Sequence, residues 1–150
     1  MKYTTEIIID LPLSKVIAIF ENPEFLPDWQ RGLKYSKLIK GENGEVGAKR
    51  KLKVDLEIKT IIMIETIIKK KLPNEWHGKY SANGIDSTQK NYFKAINENQ
   101  THWKNESEFK FHGAMRIISK IMPGIFKQRG EQVMTDFKAF AEREVSQRKK

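Results

Sequence analysis

Alternating apolar and polar positions dominate the chain up to about residue 111, and a helical period takes over from about residue 114. The segment MKYTTEIIID alternates at its start and predicts a strand. It runs into LPLSKVIAIFENPEFLPDW, where Pro12 stands at a helix start and Val16, Ile17, Phe20 and Phe25 are spaced for one buried face. Asn22-Pro23 ends that helix and opens a second short one over residues 23–29. About six further strands follow, punctuated by KGENGEVG (40–47), LPNE (72–75), Asn83-Gly84 and NENQ (97–100). The last element is a long amphipathic helix over residues 114–145. Strands and helices are segregated rather than alternating, so the predicted class is α+β: a curved antiparallel sheet of about six to seven strands, two short N-terminal helices and one long C-terminal helix. Residues 1–150 contain no repeat or linker, and their number suits one domain.

Asn-Gly between alternating runs predicts a two-residue type I′ hairpin turn at Asn83-Gly84. Pairing Ala82 with Ile85 then puts Tyr80 opposite Ser87, Gly78 opposite Gln89 and Trp76 opposite Asn91. One face carries Trp76, Tyr80, Ala82, Ile85 and Phe93; the other carries Glu75, His77, Lys79, Asp86, Thr88, Lys90 and Lys94. In THWKNESEFKF the inward set is Trp103, Asn105, Ser107, Phe109 and Phe111. For both inner faces to coincide, the 96–100 connection needs an odd number of loop residues, giving Phe93 beside Trp103 and Asn91 beside Asn105; an even loop breaks this register. Between Leu52 and Ile68 both parities are apolar, and the turn near residues 55–58 has no glycine or proline, so the pattern assigns no register there.

The inward set is not purely apolar. Ser87, Gln89, Asn91, Asn105 and Ser107 share a face with Trp76, Tyr80, Phe93, Trp103 and Phe109. Each would cost roughly 1–3 kcal/mol if buried without a partner, so they require one another, water or a ligand. Polar groups set among aromatics characterise small-molecule pockets. The terminal helix agrees. Its stripe of Ile118, Ile121, Met122, Ile125 and Phe126 resumes at Val133, Met134, Phe137, Phe140 and Ala141, with Gly130 between and Arg129 beside it. Pro123 and Gly124 predict an axis bent over the sheet, with two separate helices joined by a turn as the alternative, and Gly130 leaves space beneath it. The expected ligand-binding residues are Trp76, Tyr80, Gln89, Asn91, Phe93, Trp103, Asn105, Ser107, Phe109, Met122, Phe126 and Arg129.

Composition narrows the chemistry. The chain has no cysteine, which excludes disulfides, thiolate nucleophiles and cysteine-based metal sites. No apolar run has the length of a membrane span, and the start has no signal-peptide pattern, so a cytoplasmic protein is expected. The formal net charge of +9 raises the prospect of polyanion partners. Only residues 69–71 and 147–150 are clustered, however, and no nucleic-acid-binding signature accompanies them, so a solvated basic surface is the preferred reading. His77, His102 and His112 fall on the solvent parity of their strands, without metal-ligand spacing, and no metal or cofactor is expected. Glu106 and Glu108 alternate with Lys104 and Lys110 as ordinary surface charge. Ser107 has no inward histidine to form a triad, and the glycine-rich segments lack phosphate-loop spacing.

The strand leading into a proline-initiated helix and then NP…W (IIIDLPLSKVIAIFENPEFLPDWQ), with GEVGAKRKL, LPNEWHGKY and the terminal amphipathic helix, resembles the SRPBCC, or START-like polyketide cyclase, superfamily over essentially the whole chain. The resemblance implies a helix-grip fold with a hydrophobic pocket between sheet and C-terminal helix. It also implies a small apolar ligand or, in some members, cyclisation, dehydration or hydrolysis; no catalytic motif carries over. A binding module is therefore expected first, with Gln89, Asn91, Asn105 and Arg129 orienting the ligand. A cyclase- or dehydratase-like enzyme is the second reading, with Tyr80, Asn91, Asn105 or Arg129 polarising a carbonyl. A basic adaptor for nucleic acid or anionic membrane is the third. A carboxylate or imidazole with a strongly shifted pKa inside the pocket would put the enzyme before the binder.

Overall fold

The computed structural model describes residues 1–57 and 59–148. Seven strands form one antiparallel sheet in the order β1-β7-β6-β5-β4-β3-β2. They are β1 (Lys2–Ile9), β2 (Leu33–Lys40), β3 (Lys49–Asp55), β4 (Thr60–Lys71), β5 (Glu75–Ala82), β6 (Ile85–Asn97) and β7 (Gln100–Phe111). Helix α1 (Leu13–Glu21), a 3-10 turn at Pro23–Phe25 and the single-turn α2 (Leu26–Trp29) lie between β1 and β2. Asn22 closes the junction, its Oδ1 accepting from Glu24 N at 3.0 Å. This is the α+β helix-grip arrangement, with the long α4 (Ile125–Arg148) laid against β1, α1 and α2.

The terminal helix is not one bent rod. Met122 has left the helical region (φ −125°, ψ 62°), as sterics before a proline favour. The chain breaks there into α3 (Met115–Ile121) and α4, and the α4 ladder starts with Gln128 N donating to Gly124 O. Helix α3 turns its isoleucines outward, Ile117 being 61% and Ile121 72% exposed. The apolar spacing that predicted a buried stripe across Pro123 thus belongs to two helices with different surroundings.

The sheet register follows the alternation where alternation is clean. Ala82 pairs with Ile85, Tyr80 with Ser87, Gly78 with Gln89 and Trp76 with Asn91; Phe93 pairs with Trp103 and Asn91 with Asn105. The β6–β7 loop is nevertheless even. It contains Glu98 and Asn99, and a bulge between Ala95 and Asn97 supplies the odd residue, so the predicted faces coincide without the predicted loop. The Asn83-Gly84 turn is not type I′ either, because only Gly84 takes a positive φ, of 84°. His112 N donates to Gly84 O, and Met115 packs so closely that a Cβ on Gly84 would lie 2.7 Å from its Cγ. The turn adapts to the start of α3.

Strands β3 and β4 resolve the unassigned stretch. Asp55 pairs with Thr60, so even residues of β3 share a face with odd residues of β4. Leu52 and Val54 therefore face inward with Ile61, Met63, Glu65 and Ile67. A bulge between Ile67 and Lys69 then flips the parity and brings Lys70 to the inner side.

The packed core fills one end of the groove. Ile9, Val16, Trp29, Phe93, Trp103, Met134 and Phe137 are buried there, with the Phe20 ring within 5.0–6.1 Å of the rings of Trp29, Trp76, Phe93, Trp103 and Phe137. His77 departs from the solvent position its parity predicts. It is only 4% exposed on the outer face, its ring 5.0 Å from that of Tyr92. The bulk of its neighbours, not strand parity, buries it.

Candidate functional site

Beyond that aromatic end the sheet and α4 do not meet, and a cavity of about 660 Å³ remains, within the range of small-molecule sites. Ten of the residues expected to hold a ligand line it: Trp76, Tyr80, Gln89, Asn91, Trp103, Asn105, Ser107, Phe109, Phe126 and Arg129. Two do not. Phe93, 1% exposed, is part of the packed core, and Met122, 41% exposed, lies outside on the break between α3 and α4. Gly130 lines the cavity as well, and a Cβ there would meet only Thr5, at 3.8 Å.

The polar groups of β6 and β7 form a chain whose direction is fixed by one residue. The Trp103 indole can only donate. Its Nε1 lies 2.9 Å from Asn91, so the Asn91 atom facing it is the amide oxygen. Asn105 Nδ2 donates to the same Oδ1 at 2.8 Å, which turns Asn105 Oδ1 toward Ser107. The Ser107 hydroxyl also approaches Gln89 Oε1, at 2.6 Å, and its single proton serves both oxygens. The amide oxygens are thus occupied within the protein, whereas the Asn91 and Gln89 NH2 groups have no protein acceptor among the described residues. The pocket side of this chain offers donors.

Across β5 lies a group that the alternation pattern did not expose. Glu65 faces the cavity from β4, and the Tyr80 hydroxyl donates to its Oε2 at 2.8 Å. Burial holds the Glu65 carboxyl above its ordinary pKa, against the lowering effects of the Tyr80 hydrogen bond and of Arg50. Tyr80 is pushed well above the usual phenol range, first by burial and then by Glu65, and keeps its proton at neutral pH. Arg50 is the ladder partner of Glu65 but spends its guanidinium elsewhere: on Ser36 Oγ and Asn43 Oδ1, both at 2.7 Å, and on Ser36 O at 3.3 Å. Among the described residues no lysine or arginine forms an ion pair with Glu65. The signal was present in TIIMIETIIKKK as a lone acid in an apolar run, but without the β3–β4 register nothing said which way it pointed.

Gly78 lets the floor close. A Cβ there would lie 3.0–3.1 Å from the Trp76 and Tyr80 rings, which therefore fold over the glycine. At the rim, Lys70 ties Glu21 of α1 (2.8 Å) to Gly44 O of the β2–β3 loop (2.8 Å). Arg129 is half-buried rather than a free surface cation, and its Nη2 donates to Arg31 O at 2.9 Å. Burial draws its pKa below the ordinary value, opposed by Glu57. Trp29 Nε1, also at the cavity wall, is buried without an acceptor among the described residues.

No protein-family model matches the chain, and no curated protein matches it. Solved structures do. The Zhui aromatase/cyclase from Streptomyces sp. R1128 superposes with a TM-score of 0.83 at 9% identity, covering 97% of this chain and 95% of that one. A START superfamily protein from Mycobacterium smegmatis gives 0.76 at 11%, covering 95% and 97%. Truncated norcoclaurine synthase from Thalictrum flavum gives 0.72 at 12%, covering 93% and 92%. At such identities the likeness is one of fold, and the fold is the START-like helix grip.

Proposed function

We propose that the cavity binds a small, largely apolar molecule through a head group that accepts hydrogen bonds. The observation that carries this reading is the Trp103–Asn91–Asn105 chain, which leaves the Asn91 NH2 unspent in an aromatic-walled space of about 660 Å³. A carbonyl, carboxylate or phenolate oxygen would accept from it, while Trp76, Phe109, Phe126 and Val133 cover the apolar body. Arg129 stands at the wall as a further donor, with part of its capacity committed to Arg31.

Native mass spectrometry of protein purified from its own cells tests the reading, with a co-purifying small molecule as the expected result. Asn91→Leu should remove that adduct. A cavity found empty in every preparation, and indifferent to added aromatic ketones and carboxylates, would count against it.

The enzyme reading gains one specific support, the buried carboxyl of Glu65 inside the cavity, which is the feature that favours catalysis over carriage. The names of two structural neighbours, an aromatase/cyclase and a synthase, point the same way by analogy of fold. An adaptor role for the basic surface rests on the net charge of +9 alone. Lys149 and Lys150 of the basic tail lie outside the described residues.

A further inference from the structure

We infer that Glu65 is a general base that removes a proton from the carbon next to a ligand carbonyl, with the Gln89 amide holding the oxygen. This rests on the binding reading above and names both the ligand class and the step.

Four features of the site converge. The Glu65 carboxylate has one oxygen engaged, by the Tyr80 hydroxyl, and no protein donor at Oε1 among the described residues. Among the described residues it has no ion-pair partner to hold it away from a substrate, because Arg50 is pinned by Ser36 and Asn43. Its inward neighbours on β4, Met63 and Ile67, are apolar, and burial keeps the carboxylate basic against the lowering effects of its ladder partners Tyr80 and Arg50. One amide donor stands within reach of a small molecule: Glu65 lines up across β5 with Ser87, and Gln89 lies two residues farther along β6, about 12 Å from Glu65 between backbones. A ketone with its oxygen on Gln89 presents its neighbouring C–H toward Glu65.

The step balances without a co-reactant. Glu65 Oε1 takes the proton, and the C–H electron pair becomes the carbon–carbon double bond of an enolate. The carbonyl π pair moves onto oxygen, where the amide N–H groups stabilise it. Glu65 then gives back a proton: one replaced from solvent and returned to the same carbon gives exchange, and one delivered to a conjugated carbon gives isomerisation. Tyr80 does not touch the ligand in this scheme. It is a positioning residue that fixes the carboxylate and tempers its basicity.

The test uses the full chain with 2-tetralone, a bicyclic ketone with acidic C–H groups beside its carbonyl, in deuterated buffer. Binding is read by saturation-transfer NMR and tryptophan emission, and chemistry by the loss of the proton signal next to the carbonyl. Wild type should exchange that proton about 10²–10⁴-fold faster than buffer, the range of general-base catalysis. Glu65→Gln should fall to the buffer rate while still binding the ketone. Tyr80→Phe removes a hydrogen bond that lowers the Glu65 pKa, so its rate–pH profile should move to higher pH. Should Glu65→Gln not fold, Glu65→Asp, with its carboxylate withdrawn by one methylene, must lose at least tenfold. Ketone that binds wild type but exchanges no faster than in buffer, or equally fast in Glu65→Gln, overturns the base assignment and leaves the binding reading standing. Ketone that does not bind strikes at the binding reading itself.

Discussion

The Tyr80 hydroxyl is spent on Glu65, 2.8 Å from its Oε2, so the tyrosine that strand parity placed in the pocket as a free donor is the partner of an acid. This pairing makes stability depend on pH in a defined direction. The folded-state pKa of Glu65 is raised above its ordinary value of 4.5, so its contribution is fully present below that value and is lost as pH rises through the folded pKa. Thermal melts of wild type and Glu65→Gln from pH 4 upward should show the variant gaining on wild type above pH 4.5. Parallel curves would mean that the carboxyl is not desolvated.

His77 gives the opposite slope. Burial lowers its pKa from 6.5 against the opposing pull of Glu75, so its contribution is present above pH 6.5 and is lost as pH falls through the depressed folded value. His77→Phe should therefore be less sensitive to acid below pH 6.5 than wild type in the same melts.

Gly130 separates binding from folding. A Cβ there has ordinary van der Waals clearance from Thr5, and leucine suits a helix interior better than glycine by roughly 0.5–1 kcal/mol. Gly130→Leu should hold or raise the melting temperature while its side chain enters the cavity and reduces ligand uptake. Undiminished uptake would place the ligand elsewhere.

The bulge at Ile96 makes a deletion harmless where one would be expected to scramble the sheet. Removing Ile96 leaves Asn97 opposite Gln100 and Ala95 opposite Thr101, with every pair beyond them unchanged. The side chain is half exposed, so the stability cost should be about 1 kcal/mol or less. Deleting Lys90, five residues before the Ala95–Asn97 bulge, instead turns over the face of residues 91–96 or of everything before them, and should abolish cooperative unfolding in denaturant.

Much of this fold was legible because alternation is informative wherever one face of a strand meets solvent. Strands β5 to β7 alternate cleanly, and their pairings follow from Asn83-Gly84 and the aromatic positions. The β3–β4 pair was opaque because Ile62, Ile64 and Ile68 give the outer face of β4 the same apolarity as the inner, although two of the three are largely exposed. Glu65 was lost with that register. The helix break was present in the sequence as Met122-Pro123-Gly124, but periodicity continues across it and cannot separate a bend from a stop. His77 shows the remaining limit, since parity assigns a face and not what bulky neighbours cover on it.

The indole of Trp103 has reach beyond its own contacts. It stands at the border between packed interior and open chamber, touching Phe20, Trp29 and Phe137 on one side and Asn91 on the other. Swapping residues in the aromatic pack would tilt that ring and reset which amide hydrogens reach the ligand. On the binding reading proposed above, selectivity can therefore drift through changes that never contact the bound molecule.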